Sequence, residues 1–187
     1  LIIFVGLFGI LRASVAISGL TKLKAAATAI ATSQIEYLRS LDYGAVGTLG
    51  GIPAGTVLQQ TTSTQAGLDF SVRTYVVYAD DAADGVGGAD TNGITTDYKR
   101  AKVTVSYEVE GVERSVTLVT NIVPGGIEST DGGGTLKINV FDAQGAALSG
   151  ATVHIVNDTL VPTVDFSTFS DSTGVVFLPG APTSTDY

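Results

Sequence analysis

The sequence predicts an α+β fold: a long projecting N-terminal α-helix packed on an antiparallel β-sheet, followed by a small, incomplete β-sandwich domain. Three observations predict it. Apolar residues recur at helical spacing from the N-terminus to about Leu41. Alternation with a period of two occupies 69–78, 101–108 and 112–119. A Gly-rich stretch then precedes a second series of short alternating runs. The expected organisation is a first domain over 1–124 (helix 1–42, head sheet 56–124, acidic loop 79–97), a linker over 125–135 and a β domain over 136–187.

The helix is justified first. Leu1, Ile2, Ile3, Phe4, Val5, Leu7, Phe8, Ile10 and Leu11 are apolar and are interrupted only by Gly6 and Gly9 before Arg12. Eleven helical residues rise about 16 Å, roughly half of a ~30 Å hydrocarbon core. As it stands the run is too short to span a bilayer and too apolar for the surface of a soluble domain. About ten more apolar residues upstream would complete a span. A signal-peptide remnant and a buried core helix are the alternatives. With Leu at position 1 and no Met in the chain, the sequence reads as a processed product or a fragment.

Beyond Arg12 the pattern turns amphipathic. Ile17, Leu20, Leu23, Ala27, Ile30, Ala31, Ile35, Leu38 and Leu41 form the apolar stripe, with Lys22, Lys24, Thr28, Thr32, Ser33 and Arg39 opposite. A single helix of this length runs ~60 Å, too long for a compact domain of this size, so half of it must project. Gly6, Gly9 and Gly19 each lower helix stability by roughly 1 kcal/mol relative to Ala. Arg12 is costly in a dry core unless it is paired or placed near the edge. Asp42-Tyr43-Gly44 reads as the stop.

The run from Ala29 to Tyr43, with Gln34-Ile35-Glu36-Tyr37-Leu38-Arg39 at its centre, resembles the end of the long helix in type IV pilins and pseudopilins. Leu1-Ile2-Ile3-Phe4-Val5-Gly6-Leu7-Phe8-Gly9 resembles the middle of that family's hydrophobic half. The direct likeness covers about the first quarter of the chain. The family's leader-peptidase site, the Phe after it and its early helix Glu are not in this sequence, so no residue here takes those roles. The resemblance implies a structural subunit that is held in the inner membrane before assembly. It then packs with copies of itself in an extracellular, cell-surface filament, with Leu1 to Leu11 in the filament core. It also implies that the glycines let the helix unwind locally in the filament; close helix–helix approach is the alternative. A minor pseudopilin of a type II secretion or DNA-uptake machine is the alternative within the family. A membrane-anchored surface module that binds a ligand is the alternative from another class.

The head follows. Val57 to Thr62 is a candidate short strand. In 69–78, Phe70, Val72, Thr74, Val76 and Tyr78 share one face, with Ser71, Arg73, Tyr75 and Val77 on the other. Val103, Val105 and Tyr107 are in phase, and Glu110-Gly111 turns into Val112 to Val119 as a hairpin. A three- or four-stranded antiparallel sheet is expected, with its apolar face on the Leu/Ile stripe of the helix. Between its best strands, Asp80, Asp81, Asp84, Asp90, Asn92 and Asp97 are oxygen donors on one loop, the pattern that hard-cation binding requires. Residues 90–97 begin like a calcium loop but lack its terminal bidentate Glu. The pilin resemblance implies calcium here as well, and a solvated acidic turn is the alternative.

Pro124-Gly125-Gly126 and Asp131-Gly132-Gly133-Gly134 mark the linker. After it, Leu136, Ile138 and Val140 alternate, followed by strand-like runs at 151–156, 166–170 and 175–178. Leu148-Ser149-Gly150-Ala151-Thr152-Val153 and Asp171-Ser172-Thr173-Gly174-Val175-Val176-Phe177-Leu178-Pro179-Gly180 resemble carboxypeptidase-regulatory-like or Ig-like β modules. Such a sandwich has about seven strands, and four or five are visible. The remainder is expected either beyond Tyr187 or from a neighbouring subunit by strand addition. A module of this kind, displayed outward, suits adhesion by analogy.

Composition excludes several functions. With net charge -8 and no basic stretch longer than Lys99-Arg100-Ala101-Lys102, the chain is expected to bind no nucleic acid. With 44% hydrophobic and 15% charged residues it is no disordered tail. No Cys is present to make disulfides, thiolate metal sites or nucleophiles. The only His is His154, within a strand, and no Gly-x-Ser-x-Gly elbow or phosphate-binding Gly loop occurs. The expectation is a protein that is not an enzyme and requires no cofactor beyond calcium. Asn157-Asp158-Thr159 is an N-glycosylation sequon by pattern.

Overall fold

The computed structural model describes residues 2–65, 67–85, 91, 93–125 and 133–187, with the backbone alone for 2–13 and 15–17. Helix α1 spans Ile2–Ser40 in one piece, about 58 Å at 1.5 Å per residue. It ends where Ser40 Oγ donates to Tyr37 O at 2.7 Å. A short 3-10 turn at Tyr43–Ala45 follows. The strands are β1 (Gln60–Gln65), β2 (Leu68–Ala79), β3 (Tyr98–Val109), β4 (Val112–Ile122), β5 (Gly134–Asn139), β6 (Thr152–Asn157), β7 (Val164–Phe169) and β8 (Val175–Ala181). They form one four-stranded sheet, β1-β2-β3-β4, and two two-stranded sheets, β5-β8 and β6-β7, with every pair antiparallel. The fold is α+β.

The first core lies between α1 and the four-stranded sheet. Ala27, Ile30, Ala31, Ile35 and Leu38 of the helix are buried with Phe70, Val72, Val76, Ala101, Val103, Val105 and Tyr107 of the sheet. Each side chain the size of Ile or Leu is worth about 1.5–3 kcal/mol when fully buried. Two polar pairs fix the docking. Gln34 Nε2 donates to Thr74 Oγ1 at 3.1 Å, and Arg39 Nη2 donates to Thr120 Oγ1 at 2.7 Å. Arg39, expected on the polar face, thus reaches over to the sheet.

The strand expected at Val57 to Thr62 is displaced. Val57 is buried in the first core, and its N–H donates to Gly47 O at 3.1 Å. The edge strand β1 instead runs Gln60–Gln65, an almost wholly exposed polar segment. Its order comes from the backbone ladder to β2, in which Gln60 pairs with Arg73 and Gln65 with Leu68. No apolar periodicity marks it. At the β3–β4 hairpin, Glu110 and Gly111 have φ of 53° and 77°, the left-handed pair a two-residue type I′ turn requires.

The second core is shared. Ile155, Val164, Phe166, Val176, Leu178 and Ala181 pack with Ile52 from the segment after α1, and Tyr75 and Val77 on the outer face of β2 lie against them. Strand β5 opens at Gly134, inside the stretch expected as linker. The C-terminal sheets are therefore seated on the head. Arg73 Nη2 and Gln59 Nε2 both donate to Ser167 O, at 2.9 and 2.8 Å, and Thr168 Oγ1 donates to the Tyr75 hydroxyl at 2.9 Å. Burial pushes the Tyr75 phenol up; the Thr168 hydroxyl and Arg73 work against that shift. Gly180 has φ +71°, and a Cβ there would meet the Tyr78 ring at 2.7 Å, so only glycine permits this approach of β8 to the head.

The β7–β8 turn is organised by Asp171. Its Oδ1 accepts from Val175 N at 2.9 Å, Thr173 Oγ1 at 2.7 Å and Thr173 N at 2.8 Å. These bonds, the Val175 N–H foremost, hold its carboxyl below the ordinary carboxylate range. A lowered folded value means that the contribution is complete above the ordinary carboxylate pKa and is lost as pH falls through the folded value. In urea titrations, Asp171→Ala should therefore fall furthest below the parent chain near neutral pH. The gap should close in acid, and a gap independent of pH would refute the assignment.

Candidate functional site

Two features expected from the sequence concern function, and they lie in different parts of the molecule. The first is the N-terminal part of α1. Among the described side chains, the packing of α1 on its own sheet begins at Leu23, while Ser14, Ser18, Gly19, Thr21 and Lys22 are exposed. Residues 2–22 thus extend the helix by about 30 Å beyond that contact. Ile2, Ile3, Phe4, Val5, Leu7, Phe8, Ile10 and Leu11 all fall on this extension; Leu1 lies outside the described residues. Among the described residues no helix is long and apolar enough to cross a membrane.

The second is the acidic loop that joins β2 to β3. Asp80 follows the end of β2 and Asp97 immediately precedes β3, so the ladder holds the two ends of the loop together, with Ala79 paired to Tyr98. Asp84 returns from the turn between them. One carboxylate oxygen from each of Asp80, Asp84 and Asp97 lies within 4.8 Å of the others. Oxygens about 2.3–2.6 Å from a shared calcium ion can stand at most ~5 Å apart, so the spacing and hard-oxygen chemistry of this set fit that cation. Three carboxylates supply part of the six to eight oxygens calcium takes.

Asp81 does not join the triad. Its Oδ1 accepts from Ala83 N at 3.1 Å, and its own N–H donates to Asp97 Oδ2. Asp81 therefore shapes the loop and helps to orient Asp97. Asp90 and Asn92 lie outside the described residues.

Lys99 was not singled out from the sequence. It is 1% exposed, its Nζ donates to Tyr43 O at 2.8 Å, and it sits 4.5 Å from the Tyr43 ring centroid and 5.3 Å from that of Tyr78. Asp97, at 3% exposure, is in phase with it on the same inward face of the β3 line. The available signal was alternation: position 99 is in register with Ala101, Val103 and Val105, so a Lys there is a buried cation that needs partners.

His154 Nε2 and Asp165 Oδ1 are 2.7 Å apart across β6 and β7, with both side chains more than half exposed. Such a surface pair adds little stability. Asn157 is 1% exposed. Its Nδ2 donates to Ser184 Oγ at 2.8 Å, and its Oδ1 accepts from Thr159 N at 3.0 Å. A glycan on that nitrogen would have to be attached before this corner folds.

No known protein family matches the sequence, and no curated protein or solved structure is significantly similar to it. What the chain defines is therefore an architecture: an N-terminal helix packed on a four-stranded antiparallel sheet, followed by small antiparallel sheets.

Proposed function

We propose that this chain is the structural subunit of an extracellular type IV pilus-like filament. It polymerises through the apolar N-terminal part of α1 and carries its C-terminal β module outward for adhesion. The supporting observation is the division of α1 at its first sheet contact, Leu23. Below that point the helix meets its own sheet. Above it stand some twenty residues whose apolar run from Ile2 to Leu11 calls for cover from outside the chain. The likeness of the helix sequence to pilins, and the order helix, then antiparallel sheet, support the same reading. The role is structural and involves no catalytic step; the partners are copies of the chain, after an inner-membrane stage. Electron microscopy of purified surface filaments tests it. A uniform helical polymer of this chain is the expected result. A few copies at a tip would favour a minor pseudopilin, and a complete lack of polymer would favour an anchored binding module.

Calcium at Asp80, Asp84 and Asp97 belongs to the same reading, with the ion closing the loop between β2 and β3. A ligand held only by the folded state at about 100 times its Kd stabilises by about 2.7 kcal/mol. At this chain length that raises Tm by roughly 5–10 °C. Melting the detergent-solubilised chain with added calcium and with chelator should show the shift, and Asp97→Asn should remove it. Equal midpoints in calcium and chelator would reject calcium binding.

A further inference from the structure

We propose that the cleft between the outer face of the four-stranded sheet and β7 binds an acidic sugar, a pyranose ring bearing one carboxylate. The cleft encloses about 520 Å³, within the ~300–1,000 Å³ usual for small-molecule sites. Its floor is a polar grid set by strand register: Ser71 lies opposite Ser106, Arg73 opposite Thr104, and Tyr75 opposite Lys102. The row continues at both ends, since Gln60 pairs with Arg73 and Thr117 with Thr104. Thr168 and Phe169 at the end of β7 form the wall that turns a sheet face into a hollow.

The chemistry of the lining selects the ligand class. Arg73, which helps to seat the C-terminal sheets, is held from two sides and so is fixed in the cleft. Its Nη2 donates to Ser167 O at 2.9 Å, and its guanidinium lies 4.7 Å from the Phe169 ring centroid. An arginine has five N–H donors, and that bond uses one. Lys102 is exposed on the neighbouring strand and provides a second positive charge. The carboxylate of the lining, Glu113, lies four residues before Thr117 on β4, roughly 13 Å of strand away. The Arg73–Lys102 end is therefore locally positive in a chain of net charge -8. That combination suits one carboxylate held by a fixed guanidinium. It disfavours polyanions such as nucleic acid, which the chain as a whole repels. Beside the cations, Thr104 and Thr117 Oγ1 lie 3.1 Å apart and Ser71 Oγ accepts from Gln60 Nε2 at 3.3 Å, so the threonine pair keeps one O–H to donate and Ser71 keeps its own, alongside the Ser106 hydroxyl. The half-exposed Phe169 edge offers apolar contact for a ring.

The cleft is formed within one chain, so the proposal stands apart from polymerisation and can fail or hold independently of it. The test is titration of the full detergent-solubilised chain, followed by NMR or calorimetry. The probes are a trisaccharide containing a single hexuronate, its neutral hexose counterpart and inorganic phosphate. Saturable binding of the uronate below about 10 mM is expected, with the neutral sugar weaker by about tenfold. Lys102→Gln, at an exposed position, should weaken binding by roughly threefold, and added salt should do the same. Ser106→Trp should abolish binding by filling the floor. The proposal is overturned by lack of saturation with the uronate, by equal binding of the neutral sugar or of phosphate, or by full affinity in Lys102→Gln.

Discussion

Replacing Phe70 by alanine should destabilise the folded chain by about 3–5 kcal/mol. Phe70 has no exposed surface. Its ring centroid is 5.4 Å from that of Tyr107 in a tilted pair, within the first core that Ile35 and Leu38 of α1 share. Truncation leaves a cavity between two rigid layers, because neither the sheet nor the helix can collapse into it without breaking ladder bonds. A domain of ordinary stability has about 5–15 kcal/mol in total, so the loss is about a fifth of it or more. The measurement is the urea midpoint, which should fall with an unchanged slope. Phe70→Leu, which keeps most of the volume, should cost far less. A loss below about 1 kcal/mol for the alanine variant would mean that this ring does not hold helix to sheet.

The core that Phe70 anchors was legible because its signals are local. The alternation of Phe70, Val72, Thr74, Val76 and Tyr78 places all five on the buried face, and Glu110-Gly111 supplies the turn that fixes the register of β3 against β4. Strand β1 was misplaced for the converse reason. An edge strand with both faces in water has no apolar period, and its order resides in backbone bonds to β2. The seating of the C-terminal sheets was hidden for another reason. Tyr75 and Val77 sit at positions that alternation assigns to solvent, and the core that covers them is drawn from Ile52 and from the distant C-terminal strands. Within the acidic loop, composition suggested six donors. The assignment of Asp81 to its own turn depends on bonds that a list of carboxylates does not contain. The Asp80 and Asp97 pairing follows from strand register, which brings the two ends of a long loop together.

Core and cleft both depend on the strands, whereas the proposed assembly depends on the one element that leaves them behind. Introducing a charge there, as Phe4→Glu or Phe8→Glu, should abolish polymerisation while leaving the head intact. Each change removes an aromatic side chain worth about 1.5–3 kcal/mol on burial and adds a carboxylate whose desolvation costs several kcal/mol. Every 1.4 kcal/mol is a factor of ten in affinity, so the association of each subunit should weaken by more than about a thousandfold. The position of these residues on α1, some fifteen or more before the first sheet contact at Leu23, predicts no effect on the urea midpoint of the chain itself. Sheared surface fractions and electron microscopy would report the polymer, and denaturation of the solubilised chain would report the fold. Phe4→Leu, apolar and helix-forming, should retain filaments and so separate loss of burial from loss of the aromatic ring. Filaments of normal length from Phe4→Glu would sink the assembly role of this segment; a lowered urea midpoint would place it against the head instead.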